Sequence, residues 1–259
     1  MSHSTDLNTA SSPSIPRDAI FATPLDKLAS FSFDEQVASV FPDMIKRSIP
    51  GYSHILGMTG VIAKRYVPEG GRIYDLGASL GATTLSVAQQ LEHLERVEFV
   101  TVDTSAAMTE RCANILAENL PKRSITSLCS DIRHLDYQPC DLILLNFTLQ
   151  FLPPNDRQPL LEKLYQALRP GGALIISEKI HFQDPRQAQL LYELHHDFKR
   201  ANGYSDMEIS QKRTALEDVM LTDTPEQHLQ RLLTTGFSFA SQWFQYLNFA
   251  SFLAIKGDC

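Results

Sequence analysis

Apolar and polar residues alternate along the chain with two different periods. Between residues 72 and 178, short apolar runs predict strands, and the longer segments between them repeat their apolar residues every three or four positions, as amphipathic helices do. The strand candidates are RIYDLG, VEFVTVD, SITSLCSD, DLILLNF and ALIISE. Strands that alternate with helices predict βαβ units, and therefore a parallel sheet covered on both faces.

The segments on either side of this region have different patterns. Helical spacing in FSFDEQVASVF and RSIPGYSHILGMTGVIAKRYV predicts a helical preface over residues 30–66. Residues 184–235 predict a helical insertion, which begins with Asp184 as N-cap and Pro185 at the first helical position. The tail GFSFASQWFQYLNFASFLAIK predicts two strands joined by a turn around Asn248.

Together these elements predict an α/β protein with a Rossmann-like architecture that resembles the class I methyltransferase fold. We expect a mostly parallel seven-stranded sheet with a C-terminal antiparallel hairpin and added helices. Residues 1–18 are rich in Ser, Thr and Pro and predict a disordered tail. Residues 19–259 predict a single α/β domain.

Composition and charge narrow the class of protein further. The 259 residues are 43% apolar, enough for a proper core, and no apolar run approaches the roughly 20 residues of a membrane helix. The polar start MSHSTDLNTASSPS lacks the apolar middle of a signal peptide, so we expect a cytoplasmic protein without membrane contact. The net charge of −7 argues against direct nucleic acid binding.

Metal binding is not expected either. The four cysteines form no C-x-x-C pair and have no zinc-like spacing to histidine. His195 and His196 are adjacent, so on a helix they point about 100° apart and cannot share one ion. We interpret them as core or interface residues.

The candidate chemistry begins at the turn DLGASLGA after the first predicted strand. It lacks the second glycine of G-x-G-x-x-G and the Lys of a phosphate-binding loop. Asp75 before the turn would repel a phosphate but suits a ligand with an ammonium group. S-adenosylmethionine (SAM) carries that group, a sulfonium and no phosphate, which favours SAM as the ligand.

Three further polar residues follow the ends of predicted strands, where ligands bind in such sheets. Asp103 is placed to accept hydrogen bonds from ribose hydroxyls, and the Asp131 side chain and the amide that follows it are placed to meet the adenine edge. Asn146 is placed over the methionine and sulfonium end. Each of them could also be an ordinary cap or turn residue.

Several longer segments resemble the carboxy-S-adenosyl-L-methionine synthase family, over residues 20–256. They are FDEQVASVFPDMIKRSIPGYSHI, YDLGASLGATTLSV, LNFTLQFLPP, HHDFKRANGYSDMEISQKR and EDVMLTD. The resemblance implies that SAM is a substrate and that SAM and prephenate yield carboxy-SAM, phenylpyruvate and water. It also implies a homodimer whose product passes to a separate enzyme that modifies the wobble uridine of tRNA.

The resemblance implies a set of ligand contacts. Ala78 departs from the family's usual cysteine, and because that contact is made through the backbone we expect little loss. Arg213 would bind the new carboxylate, since a guanidinium can hold it with two parallel hydrogen bonds. The implied contacts are Tyr52, Gly77, Ala78, Ser79, Asp103, Thr104, Asp131, Ile132, Asn146 and Arg213.

Two other functions stay open from the residues. A conventional SAM-dependent methyltransferase would have an open apolar acceptor pocket, and a non-catalytic SAM-binding or tRNA-escort protein would have a strongly basic surface. A cation near the sulfonium favours the carboxy-SAM synthase, because an ordinary methyltransferase has no use for one there.

Overall fold

The computed structural model describes residues 16–24 and 31–258 and contains one seven-stranded sheet. Its strand order is β3-β2-β1-β4-β5-β7-β6, with β1 to β5 parallel and β7 antiparallel to both of its neighbours. This confirms the predicted fold class. The strands are β1 Arg72–Leu76, β2 Glu98–Asp103, β3 Ser124–Cys129, β4 Cys140–Asn146, β5 Leu168–Lys179, β6 Phe239–Tyr246 and β7 Phe249–Ile255.

Helices cover the sheet, and further helices precede β1 and lie between β5 and β6. The predicted preface corresponds to α1 and α2, and the predicted insertion to α6, α7 and α8. Polar caps fix several starts: the Asp34 side chain accepts from the Val37 amide, and Ser205 and Glu208 form a capping box. The helices are α1 Glu35–Ser48, α2 Tyr52–Tyr66, α3 Ala82–Gln90, α4 Ala106–Asn119, α5 Pro154–Ala167, α6 Pro185–Ala201, α7 Asp206–Leu216 and α8 Pro225–Thr235.

The core lies on both faces of the central strands. In β4 every residue except the last is buried, because helices pack on each side of it. One face includes Ile143 and Leu145, and the other includes Leu142 and Leu144. Asn146 is the last residue of β4, so it lies at the carboxyl edge of the sheet, where the apolar run ends.

The strand after α5 differs from its predicted boundary. We expected RPGG to separate the helix from a strand that begins at residue 173, but β5 begins at Leu168. Cys140 pairs with Leu168, and the register then shifts so that Leu142 pairs with Ala173. Gly171 has a φ of +74°, which lets the chain form this irregularity inside the strand.

The N-terminal boundary also has a structural feature that the sequence did not indicate. Residues 1–15 of the predicted tail lie outside the described residues, but Asp18 is only 2% exposed. Its carboxylate accepts a hydrogen bond from the Tyr204 hydroxyl, and its carbonyl accepts one from Arg47 at 2.7 Å. Within the described ranges, no helix is long and apolar enough to cross a bilayer.

Candidate functional site

The turn between β1 and α3 is fixed to the end of β2. The amides of Gly77 and Ala78 donate to the Val102 carbonyl at 2.8 and 3.0 Å, so the main chain closely approaches the neighbouring strand. Gly77 has a φ of +76°, and a Cβ there would lie 2.1 Å from the Thr148 hydroxyl. Both the backbone conformation and the space therefore require glycine at this position.

Asp103 holds the turn from β2. Its Oδ2 accepts from the Ser79 amide at 3.0 Å, and its Oδ1 accepts from the Ser105 amide at 2.9 Å. Burial raises the pKa of Asp103, although these amides lower it. A carboxylate has more acceptor positions than two amides occupy, so Asp103 retains capacity for ligand hydroxyls. The next residue, Thr104, is exposed at the rim.

Asp75 is a buried acid directly before the turn. It is 3% exposed, and its Oδ2 accepts from the Thr84 hydroxyl at 2.7 Å. Burial raises its pKa to about 6. Within the described ranges Asp75 has no ion-pair partner, and a ligand ammonium would stabilise its charged form.

Asn146 has an unused acceptor at the carboxyl edge of the sheet. Its Nδ2 donates to the Thr83 hydroxyl at 3.1 Å, while its buried Oδ1 has no partner among the described residues. An unpaired buried acceptor is uncommon in proteins and favours a ligand that supplies a donor. The next residue, Phe147, has a φ of +59°, a conformation that bulky residues rarely adopt.

Tyr52 belongs to a group of aromatic rings that includes Phe147, the residue that follows Asn146. It begins α2, and its ring centroid is 6.2 Å from that of Phe147, which is in turn 6.1 Å from that of Phe249. Burial raises the pKa of Tyr52, and the charge of Asp75 raises it further, so the phenol stays neutral. We call Tyr52, Phe147 and Phe249 the aromatic floor.

The adenine side of the predicted site has a different arrangement from the expected one. Arg133 forms an ion pair with the Asp131 carboxylate at 2.5 Å and lowers its pKa. The amide of Ile132 has no hydrogen-bond partner in the described chain, while its side chain is buried. Among the described residues the Ile132 amide is therefore available to donate to a ligand, which is the role that the sequence predicted for it beside the Asp131 carboxylate.

Arg213 lies on α7, outside the sheet. Its side chain is exposed, and its Nη1 donates to the Tyr192 hydroxyl on α6 at 2.6 Å. Among the described residues it has no hydrogen bond to the β1 turn. The structure thus brings the turn, Asp103 and Asn146 together on the sheet and places Arg213 on the added helices.

Sequence reasoning missed Glu178, which is fully buried in β5. Its carboxylate accepts from the amides of Thr148, Leu149 and Gln150 at 3.2, 2.8 and 3.2 Å. Burial raises its pKa to about 8. Glu178 thereby fixes the segment after Asn146, and an acid at the end of the apolar run ALIISE was the available signal.

His195 and His196 make packing contacts, against the rings of Phe249 and Tyr192 respectively. His195 is buried, and its Nε2 lies 2.9 Å from the Ser48 carbonyl. Burial lowers the pKa of His195 to about 2. In the described part of the chain no three His, Cys, Asp or Glu side chains are grouped so as to hold a metal ion.

Known structures similar to this chain share its fold. A putative O-methyltransferase from Nostoc punctiforme matches with a TM-score of 0.59 and 18% identity, over 86% of this chain and 59% of that one. Human N-acetylserotonin methyltransferase in complex with SAM matches with a TM-score of 0.56 and 15% identity, over 86% and 55%. At these identities the likeness shows the fold alone.

Sequence relatives are much closer. Residues 73–172 match a methyltransferase domain family. A carboxy-S-adenosyl-L-methionine synthase from Chromohalobacter salexigens is 56% identical over 240 residues, which cover 93% of this chain and 88% of the relative. The synthase of Escherichia coli K12 is 49% identical over 242 residues, which cover 93% and 98%. The chain belongs to the carboxy-S-adenosyl-L-methionine synthase family.

Proposed function

We propose that this protein converts SAM and prephenate to carboxy-SAM, phenylpyruvate and water. The observation that carries the SAM half of the proposal is the set of acceptors around one turn, Asp75, Asp103 and the free Oδ1 of Asn146. Such a set suits an ammonium, ribose hydroxyls and the polarised groups next to a sulfonium, and it would repel phosphates. Family membership supports prephenate as the second substrate.

Each implied contact has a role in this proposal. The Gly77–Ser79 turn approaches the nucleoside, Asp103 and Thr104 take the ribose side, and Asp131 with the Ile132 amide takes the adenine. Tyr52 and Asn146 face the methionine and sulfonium end. Arg213 binds the carboxylate of the product. The reaction uses SAM as a substrate and calls for no metal.

The chemistry needs no dedicated protein base. A proton leaves the sulfonium methyl group, which the positive sulfur acidifies, and a ylide carbon results. Prephenate loses carbon dioxide and hydroxide as its ring becomes aromatic; the hydroxide takes the proton as water, and the ylide carbon forms a bond to the carbon dioxide. The protein's task is to align the two substrates, exclude water and stabilise the new carboxylate.

The central test is a reaction with purified protein and SAM, with and without prephenate. We expect carboxy-SAM, detected by a mass 44 above that of SAM, only when prephenate is present, and without added metal or RNA. Phenylpyruvate should appear in equal amount. Carboxy-SAM formation that is unaffected by omitting prephenate would contradict the mechanism, and methylation of an added acceptor would favour a conventional methyltransferase.

We also propose a homodimer in the cytoplasm that hands its product to a separate tRNA-modifying enzyme. Support for the dimer comes from α6, where Leu190 and Leu194 are 55% and 40% exposed and lie one helical turn apart. The acidic net charge of −7 supports a handover without direct RNA binding. Light scattering of Leu190→Glu against wild type tests whether α6 forms the dimer surface.

A further inference from the structure

Two lysines near the aromatic floor have no counterion within the part of the chain that the structure describes. Lys179 ends β5 and Lys199 lies on α6; both are half-buried, and neither ammonium has a hydrogen-bond or ion-pair partner in the described chain. Buried charges in proteins are normally paired. The nearby Lys212 follows that rule, because its Nζ lies 3.2 Å from the Ser48 hydroxyl and 3.7 Å from the Asp18 carboxylate.

Both lysines border the aromatic floor. Lys179 is the cross-strand neighbour of Phe249, so the two side chains stand on the same face of the sheet. The ring of Phe249 packs at 5.0 Å against His195 of α6, and Lys199 follows His195 by one helical turn. The ammonium groups therefore flank a surface that continues through Phe147 to Asn146.

The cations repel one another across this surface. Burial lowers the pKa of Lys199 to about 7, and the charges of Lys179 and Lys212 lower it further. On the same helix burial lowers the pKa of His196 to about 4, with contributions from Lys199, Lys179 and Arg213. This much unpaired positive charge is unfavourable in the free protein, and an anionic ligand would relieve it.

We propose that Lys179 and Lys199 bind the two carboxylates of a dianionic cyclic cosubstrate whose ring rests on Phe147 and Phe249. The inference rests on the proposed function, since prephenate is a ring with two carboxylates. It assigns the cosubstrate to the edge between β5 and α6, beside the sulfonium end at Asn146. Arg213, on α7, is then left for the carboxylate of the product.

The test replaces each lysine by methionine, which keeps the length of the side chain and removes the charge. In Lys179→Met and Lys199→Met we expect the KM for prephenate to rise roughly 10-fold to 100-fold. The Kd for SAM should stay within about twofold, because the contacts of the β1 turn are untouched. The melting temperature should hold or rise, since a half-buried charge without a partner in the described chain has been removed. Lys64→Met, at an exposed position on α2, is the matched control.

A pH profile separates a binding role from a structural one. Lys199 faces Lys179 on β5, Lys212 on α7, and His195 and His196 on its own helix. Because its pKa in the free protein is about 7, the ammonium is lost above that pH, and the KM for prephenate should rise there. Lys199→Arg keeps its charge throughout, so its profile should be flatter.

The outcomes distinguish the inference from the function on which it rests. A wild-type protein that makes no carboxy-SAM from prephenate would overturn the proposed function. If the wild-type protein makes carboxy-SAM and both methionine variants keep the wild-type KM for prephenate within about twofold, the lysine assignment alone is overturned. A fall in the kcat of the methionine variants, with the KM for prephenate unchanged, would also overturn the lysine assignment.

Discussion

Individual side chains at the candidate site differ in how much of their hydrogen-bonding capacity the protein uses. Asp131 is occupied by Arg133, whereas the Oδ1 of Asn146 has no partner among the described residues. Asp103 lies between these extremes, since it holds two amides and retains acceptor positions. From these differences we expect Asp103 and Asn146 to contribute more to ligand recognition than the Asp131 carboxylate does.

Arg213→Ala tests the assignment of the product carboxylate at the scale of one residue. The affinity for carboxy-SAM should fall roughly 10-fold to 100-fold, the usual range for a charged hydrogen bond, and the affinity for SAM should barely change. Arg213→Lys should recover only part of the loss, because an ammonium lacks the planar fork. Titration calorimetry with both ligands measures this.

The control for that experiment is Arg65→Ala, which removes another exposed arginine, from α2. Tyr192→Phe adds a second comparison, because it removes the hydroxyl that accepts from Arg213 and keeps the cation. If the alanine variant weakened SAM and carboxy-SAM equally, Arg213 would be structural.

At this scale the sequence predicted where several candidate residues lie on the sheet, because strand ends are visible in the sequence. Asp103 and Asn146 follow apolar runs, and the sheet brings them together as expected. The Arg133 ion pair depends on side-chain conformations that no pattern encodes. Lys179 and Lys199 lie on the consecutive elements β5 and α6. No sequence pattern shows how α6 packs against the end of β5, so their shared surface becomes visible only in three dimensions.

At the scale of elements, the turn after β1 depends on contact with the segment after β4. A Cβ at Gly77 would meet the side chain of Thr148, which itself donates to the Leu76 carbonyl at 2.9 Å. The βαβ periodicity predicted both elements. It could not predict that β5 begins at Leu168, because a register shift is set by the neighbouring strand.

Gly77→Ala should therefore destabilise the protein by more than the cost of placing alanine in a left-handed backbone conformation. Gly70→Ala is a matched control, because Gly70 has a φ of +74° and a Cβ there would meet nothing within 4 Å. We expect about 1 to 2 kcal/mol of destabilisation at Gly70 from the left-handed backbone. Overpacking at Gly77 should add about 1 to 3 kcal/mol. Urea unfolding measures both, and equal losses would contradict the contact with Thr148.

At the scale of the whole molecule, buried neutral histidines limit stability in acid. His228 is 3% exposed, stacks on Phe252 at 4.9 Å, and neither ring nitrogen has a partner among the described residues. Burial lowers its pKa to about 4, from 6.5. The unfolded chain therefore binds a proton that the folded one does not, and stability falls as the pH drops from about 6.5 towards 4.

His228→Phe removes this titration and keeps a ring against Phe252. Between pH 7.5 and 5, the variant should lose about 2 kcal/mol less stability than wild type. His93→Gln, at an exposed position, should leave the wild-type dependence unchanged. Chemical unfolding at both pH values provides the comparison, and parallel losses in His228→Phe and wild type would show that His228 is not the titrating group.

The hydrogen bond from Tyr204 to Asp18 has a consequence for the order of folding. It joins residues 186 positions apart and ties the segment before α7 to the start of the described chain. Closing so long a loop is entropically costly, and long-range contacts form slowly. We therefore expect the part of the sheet from β1 to β4, which is built from neighbouring βαβ units and carries the proposed nucleoside contacts, to fold first. The helices that carry Lys199 and Arg213 would then dock last, so that a newly made chain binds SAM before it can use it.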